Sequence, residues 1–569
     1  MHAIKFRSLV AFAFFCAAIL APAFHAEAQE RSQARSMVMT KYGIVAAENP
    51  LAAQAGADIL ARGGSAADAA ITANAVMGVV EPMMNGIGGD LFVIVYDAKS
   101  GKLYGLNASG WAPKGLTIDF LKTHGHEAMP QTGIQSVTVP GAVDGWSKLL
   151  QRFGHKNLKD VLAPAIRYAD EGFPVPEWTA AYWTGAAGTL KSMGDARKVY
   201  LPNGHPPKAG ELFRNPDLAA SLKLLASGGP DAYYRGPIGR KIAAFSTSVG
   251  GTMTPEDLAD YSSEWVDPVS TTYHGWTVYE LPPNSQGMAA LEMLNIMEHF
   301  PLAKYGPNSV DALHAMIEAK KLAYADLLRF NGDPKFSKVP VAGLLSKNYA
   351  AGRAKLIDPE KANCNVPPGA PPEAGRDTTY LSVVDKDGNM ISLIQSNYSE
   401  FGSGLVADGT GFILHNRGGL FTLDPASPNA LAGHKRPFQT IIPAFMEKGD
   451  TRIAFGIMGG ANQAQAHAQF VSNVVDFEMN IQAALEAARF TKYTYDGCDV
   501  EVENRIPASV LSALAKLGHM IQPVGSFSAD MGGGQSVERN FTTGVNFGGS
   551  DPRKDGEAVP ESPFRRPDE

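Results

Sequence analysis

From residue 378 to residue 396 the chain alternates. Thr378, Tyr380, Ser382 and Val384 fall on one side of an extended segment and Thr379, Leu381 and Val383 on the other, because side chains along a strand point to opposite faces in turn. Asp387-Gly388 is a hairpin signal, and Met390 to Ser396 reads as the returning strand. Folding the ribbon about that turn brings Ser396 within about one register step of Thr378, close enough for one hydroxyl to orient the other.

Other stretches carry helical punctuation. Asn49-Pro50 predicts an N-cap followed by proline at the first helical position, with the helix running through Leu60 and stopping at Gly63-Gly64. Ser65 then caps a second alanine-rich helix, with Asp68 as its capping-box partner. Asn85 to Asp90 is a glycine-rich turn before the apolar strand Leu91–Tyr96. It is no phosphate loop: such loops follow a strand and open a helix. Gly86, Gly88 and Gly89 therefore read as backbone or close-packing glycines. Residues 158–355 read as mainly helical, with 162–171 and 288–299 as the clearer runs and a loop at Leu281 to Gly287. Pro367 to Gly375 can form neither helix nor ladder and is expected to be exposed and mobile. Strands and turns dominate from residue 378 to Asn480, where a helix is expected through Arg489, and the charged, proline-rich tail from Asp551 to Glu569 is expected to fray. Helices first, then strands, then returning helices predict a layered α+β fold.

Composition narrows the function. The 569 residues are 45% hydrophobic and 19% charged, enough for a large core. The net charge of −7 is spread without like-charge blocks, which argues against nucleic acid or an anionic membrane as partner and favours a small molecule. Lys5 and Arg7 precede an apolar run from Leu9 to about Phe24, and Ala26-Glu27-Ala28 precedes Gln29; residues 1–28 read as a secretory signal peptide, and no membrane span is expected. The protein is expected to be periplasmic or secreted. Cys364 and Cys498 remain in the mature chain, either paired or as separate thiols.

Candidate chemistry centres on Thr378. A threonine hydroxyl is a weak nucleophile unless a base sits beside it, and cutting the chain before the residue supplies one in its own α-amine. Alone, a threonine opening a strand is an ordinary strand residue. His124-Gly125-His126 raises a metal hydrolase as an alternative, without a third ligand in the pattern.

The motifs together resemble the γ-glutamyltransferase family of N-terminal-nucleophile hydrolases. The resemblance runs through Asn49 to Gly89, Val139 to Trp146, Pro282 to Gly287, the Thr378 hairpin, Phe401 to Gly404, Lys435-Arg436-Pro437, Gly459-Gly460 and Gly549 to Arg553. It implies a four-layer αββα sandwich, and a proenzyme that cuts itself between Asp377 and Thr378. Residues 29–377 would form the large subunit and 378–569 the small one. Thr378 would attack an amide carbonyl, Ser396 would orient it, Gly459 and Gly460 would supply oxyanion N–H groups, and no cofactor is needed.

The departures from the family lie around the substrate. Ser109 stands where the resemblance implies an arginine for the substrate α-carboxylate, and Leu420 where it implies the acid for the α-ammonium. Gln439-Thr440 replaces a serine pair, Tyr398 replaces an asparagine, and the segment before Lys435 is short. This resembles the cephalosporin-acylase-like branch, acting on γ-glutamyl or glutaryl-type amides by hydrolysis more than transfer. Arg417, Tyr398, Gln439 and Thr440 become the substrate-binding candidates. Arg417 either grips a substrate carboxylate or forms a structural ion pair with Asp424. The rival function is a non-catalytic periplasmic binding protein that kept the fold, which would stay uncut at residue 378.

Overall fold

The alternating ribbon is the centre of the molecule. In the computed structural model, which describes residues 33–366 and 378–564, strands Thr379–Val384 and Met390–Ser396 pair antiparallel with Thr379 opposite Gln395 and Val384 opposite Met390. The expected signal peptide, the Pro367 to Gly375 segment and Asp377 lie outside the described residues.

The two strands sit inside a seven-stranded antiparallel sheet. Its spatial order is Glu557–Pro560, Ile44–Ala47, Thr379–Val384, Met390–Ser396, Asp90–Asp97, Lys102–Ala108 and Glu264–Val266. Helices Pro50–Ala61 and Ala66–Val80 cover one face. Both begin at the caps the sequence predicts: Asn49 accepts from the Leu51 N–H, and Ser65 and Asp68 form a reciprocal capping box. Alanines let the helices approach closely, and every residue of Ala66–Val80 is buried.

The other face packs on a second seven-stranded sheet, ordered Val38–Thr40, Val545–Ser550, Gly534–Asn540, Thr451–Ile457, Ala444–Lys448, Trp276–Glu280 and Val269–Tyr273. Helices Gly287–Met297 and Gln463–Val475 lie on its far side, with Val310–Phe330 beyond them. The fold is therefore an α+β sandwich with layers αββα. Tyr380 reaches between the sheets onto Gly456, where a Cβ would stand 2.4 Å from the ring, so only glycine lets the sheets close at that point. The Tyr380 hydroxyl meets Ser392 Oγ at 2.7 Å, and Ser392 Oγ accepts the Ala444 N–H at 3.1 Å, which pins the strand that follows Thr378 across the sandwich.

Four sequence expectations need correction or completion. The segment expected to be mainly helical contains the strands Glu264–Val266, Val269–Tyr273 and Trp276–Glu280, one at the edge of the first sheet and two in the second. The helix expected from Asn480 to Arg489 ends at Glu486, because Phe490–Thr491 leaves to pair with Asp499–Glu503. The tail does not fray over its described part: Asp551 and Arg553 are buried, and Glu557–Pro560 pairs with Ile44–Ala47. Arg553 is held by Glu503 at 2.7 Å and Asp551 at 3.0 Å, so paired charges replace the solvation that usually keeps such residues outside. Finally, Cys364 and Cys498 form a disulfide. No helix among the described residues is long and apolar enough to cross a membrane.

Candidate active site

Strand register builds the site. Ser396 lies directly opposite Asp90, and Thr379 opposite Gln395. Thr378, one residue before Thr379, therefore faces Ser396, and Ser109, one residue after the pair Leu91–Ala108, faces Asp90. Directly opposed residues share a face, so the strand ends carry one row of polar side chains: Thr378, Ser396, Asp90 and Ser109. All four are fully buried. The glycine-rich turn lets this row form: a Cβ on Gly89 would stand 2.5 Å from the Ser396 carbonyl oxygen, and one on Gly88 2.0 Å from that of Ile413. These are close-packing glycines, as the sequence suggests.

The Thr378 hydroxyl is polarised from two sides. It donates to Ser396 Oγ at 3.3 Å and accepts from Gln463 Nε2 at 3.3 Å. Ser396 Oγ also accepts the Tyr398 N–H at 2.7 Å, and Tyr398 holds a positive φ of 79° to aim it there. That backbone region is costly for an aromatic residue and persists only where packing enforces it; Tyr398 is fully buried. Gln463 is fixed in turn, its Oε1 taking the Ile442 N–H at 3.1 Å.

Gly459 and Gly460 follow the strand Thr451–Ile457 and open a short turn into helix Gln463–Val475. Both have positive φ, 134° and 56°, which explains the glycine pair. The Gly459 carbonyl accepts the Asn462 N–H at 2.9 Å. Because the peptide is trans, the Gly460 N–H points away from that turn. Gln286 Nε2 bonds both the Gly460 carbonyl, at 2.8 Å, and the Thr440 carbonyl, fixing the glycine pair against Thr440. His467 accepts the Ile457 N–H on Nε2 at 3.0 Å and faces Glu280 with Nδ1 at 2.7 Å. Burial pushes the His467 imidazole down to about 3, so it is neutral and structural.

Arg417 is fully buried. Nη1 donates to Thr440 Oγ1 at 2.9 Å and the guanidinium lies over the Tyr398 ring at 4.6 Å. Nε and Nη2 have no hydrogen-bond partner among the described residues. Burial lowers its pKa to about 10, against the opposing pull of Asp90. The expected alternative, an ion pair with Asp424, does not form among the described contacts. Leu420 is buried in the same apolar core as Tyr398 and Phe438. Gln439 bridges Asp90 at 2.7 Å and Ser109 at 2.8 Å, while Asn284 donates to Ser109 at 3.1 Å; Gln439 thus ties Ser109 into the wall.

The site therefore brings Thr378, Ser396, Tyr398, Arg417 and Thr440 into one linked chain of contacts, with Gly460 joined to it through Gln286. Gln463 and Asp90 were missed from sequence, since no local pattern distinguishes a buried amide or acid contributed by a separate element; Asn284 and Gln286 lie in the Pro282 to Gly287 motif but were given no role there. His124 is exposed, His126 is half-buried, and His124 Nδ1 meets the Phe120 carbonyl at 2.7 Å. The one group of possible metal ligands among the described residues is His314, Glu318 and His519. Its imidazoles bond each other at 2.8 Å, and the Lys321 ammonium occupies Glu318 at 2.7 Å; a neighbouring ammonium opposes a second cation.

Comparison with known proteins finds relatives along nearly the whole chain. The gamma-glutamyltranspeptidase family profile matches residues 52–561. The glutathione hydrolase-like YwrD proenzyme of Bacillus subtilis is 37% identical over 534 residues, 92% of this chain and 99% of that protein. The acylase ACY 1 proenzyme of Pseudomonas sp. strain SE83 is 35% identical over 513 residues, 88% of this chain and 89% of that protein. The solved cephalosporin acylase of Bacillus halodurans superposes with a TM-score of 0.87 at 43% identity, covering 94% of this chain and 99% of that one.

Proposed function

This chain belongs to the gamma-glutamyltranspeptidase family, and from that premise we propose that it is an exported, self-cleaving threonine amide hydrolase of the acylase type. The observation that carries the reading is the Thr378 hydroxyl, buried between Ser396 and Gln463 on the row of strand ends. A buried threonine at that point has an obvious use if the bond before it opens. Its α-amine then takes the hydroxyl proton as Oγ1 attacks the substrate carbonyl, and returns it to the departing amine. The Gly459-Gly460 segment would hold the oxyanion of each tetrahedral intermediate. Water, or a second amine, then attacks the acyl-threonine ester and restores the hydroxyl.

The acyl group is read from Arg417. A fully buried guanidinium whose Nε and Nη2 have no partner among the described residues suits a carboxylate that accepts two parallel N–H bonds. With Leu420 in an apolar cluster and Ser109 engaged by Gln439 and Asn284, neither position supplies a charge for an amino-acid end. The preferred donor is accordingly the amide of a simple dicarboxylic acid. Residues 1–28 would direct export, and a disulfide suits an oxidising compartment.

The central test is the mass of the purified protein after reduction. Two fragments, the smaller beginning at Thr378, support the enzyme; an intact chain without amidase activity would favour the binding-protein alternative. Ser396→Ala is expected to fold, and to mature and turn over roughly 2- to 10-fold more slowly, the rate equivalent of one hydrogen bond of about 0.5–1.5 kcal/mol. Unchanged rates for both steps would remove Ser396 from the mechanism.

The disulfide gives a second test. Cys364 would fall in the large subunit and Cys498 in the small one, so their bond would tie the subunits together across the cut. Mature protein is expected to run as one species without reductant and as two with it. Two bands in unreduced, thiol-blocked samples would show that no such tether exists.

A further inference from the structure

Glu48 closes the strand Ile44–Ala47 on the side of Thr378 away from Ser396. Ala47 lies opposite Leu381, so Glu48 comes opposite Tyr380. Its side chain is buried, at 1% exposure. Oε1 accepts the Tyr380 N–H at 3.2 Å, while Oε2 has no hydrogen-bond partner among the described residues. The carboxylate takes the place of the next ladder bond, between the end of this strand and the start of helix Pro50–Ala61.

The direction of the Tyr380 N–H fixes what else Glu48 can reach. Backbone N–H groups two residues apart on a strand point the same way, and the two residues are separated by about 7 Å. The nitrogen of Thr378 therefore faces the side that Glu48 occupies, whereas its hydroxyl faces Ser396. An unpartnered, buried carboxylate oxygen thus lies along the edge on which a new α-amine would appear.

We propose that Glu48 is a positioning residue for the α-amine of Thr378, its Oε2 accepting a hydrogen bond from that amine and favouring the protonated form. The proposal rests on the reading that the chain is cut before Thr378. It adds the group that orients and tunes the base, a role no motif marks. Before the cut, Thr378 contributes an uncharged amide. Burial first, and then Glu81 and Asp551, hold the Glu48 carboxyl well above the usual carboxylate range, with the Lys554 ammonium opposing them. The Lys554 ammonium donates to the Tyr182 hydroxyl at 2.7 Å. The cut supplies a partner that can become positive, and a carboxylate within about 4–6 Å favours an ammonium.

The sign of the effect follows. The free amine is the form that acts as base, so activity falls as the amine is protonated. Glu48 stabilises the ammonium and raises the amine's pKa; removing its charge lowers that pKa and carries the acid limb of the kcat/KM profile to lower pH. Glu48→Gln keeps an oxygen for the Tyr380 N–H and removes only the charge.

The experiment is the pH dependence of kcat/KM for wild-type, E48Q and E48D proteins, with intact masses of the same preparations. The expected result is cut protein in which the E48Q limb lies about half a pH unit or more below wild type, with E48D between them. Superimposable limbs in cut protein would overturn the role of Glu48 and leave the nucleophile untouched. If E48Q remains uncut, the E48D limb decides: displacement supports the proposal and superposition overturns it. An active, uncut wild-type chain would instead overturn the amine base itself, and Glu48's role with it.

Discussion

Thr378→Ala is expected to accumulate as one uncut chain and to lose at least about 10³-fold in amide turnover, the scale at which removal of a nucleophile shows. The loss follows from what the methyl group cannot do. It offers no oxygen to add to the peptide bond before it and none to form an acyl ester. Folding should survive: Thr378 lies just outside the strand Thr379–Val384, whose ladders to both neighbours need no hydroxyl. The substitution leaves Gln463 Nε2 without its contact to Thr378 Oγ1, a cost of about 1–3 kcal/mol, which a domain with two cores of this size can absorb. Circular dichroism and thermal melting would check the fold, and mass spectrometry the cut. Cleavage at the same bond in protease-free Thr378→Ala protein would show that another group opens the chain. Thr378→Ser separates the two roles further, since it keeps the oxygen and loses only the methyl; it should still be cut.

The parts of this site that were legible in the sequence are local. Period-two alternation and Asp387-Gly388 bring Ser396 within about one register step of Thr378, and the structure sets it directly opposite, because a hairpin's register depends only on its turn and strands. Asn49, Ser65 and Asp68 mark helix starts for an equally local reason. The αββα layering and the glycine pair at 459–460 came from family resemblance. Asp90, Gln463 and Glu48 could not be read locally. Each reaches the site through the tertiary arrangement, Asp90 from a neighbouring strand end, Gln463 from a helix start and Glu48 from another neighbouring strand end, in segments 288, 85 and 330 residues away from Thr378, and chain order does not specify that arrangement. The errors were also physical. Trp276–Glu280 is an inner strand in which Val278 and Glu280 are buried while Thr277 and Tyr279 are only half-buried, so its two faces contrast too weakly to stand out beside the helical runs around it. Asp551 and Arg553 suggested a solvated tail, yet with Arg489 and Glu503 they neutralise one another inside the protein.

Substrate choice is where Arg417 should have its largest effect. For an amide whose acyl group ends in a carboxylate, Arg417→Ala is expected to lower kcat/KM by roughly 10- to 150-fold, the equivalent of about 1.5–3 kcal/mol for hydrogen bonds to a charged group. Arg417→Lys should recover little, because an ammonium cannot reproduce two parallel N–H bonds or lie flat over Tyr398 at 4.6 Å. Thr440 would lose its guanidinium partner in either variant, so the melting temperature must be measured beside activity. A control amide with an uncharged acyl chain separates the two effects, since a structural defect would depress both substrates alike. The same reasoning sets the preference of the unaltered protein. An α-ammonium entering this site would leave water to meet Leu420 in an apolar cluster and Ser109 already engaged by Gln439 and Asn284; an uncompensated charge costs several kcal/mol. A glutaryl amide is therefore expected to match or exceed the corresponding γ-glutamyl amide in kcat/KM, and Arg417→Ala should depress both. A strong preference for the γ-glutamyl compound would mean that another acid, with Asp90 the nearest candidate on the row of strand ends, receives the ammonium in place of the residue that Leu420 replaces.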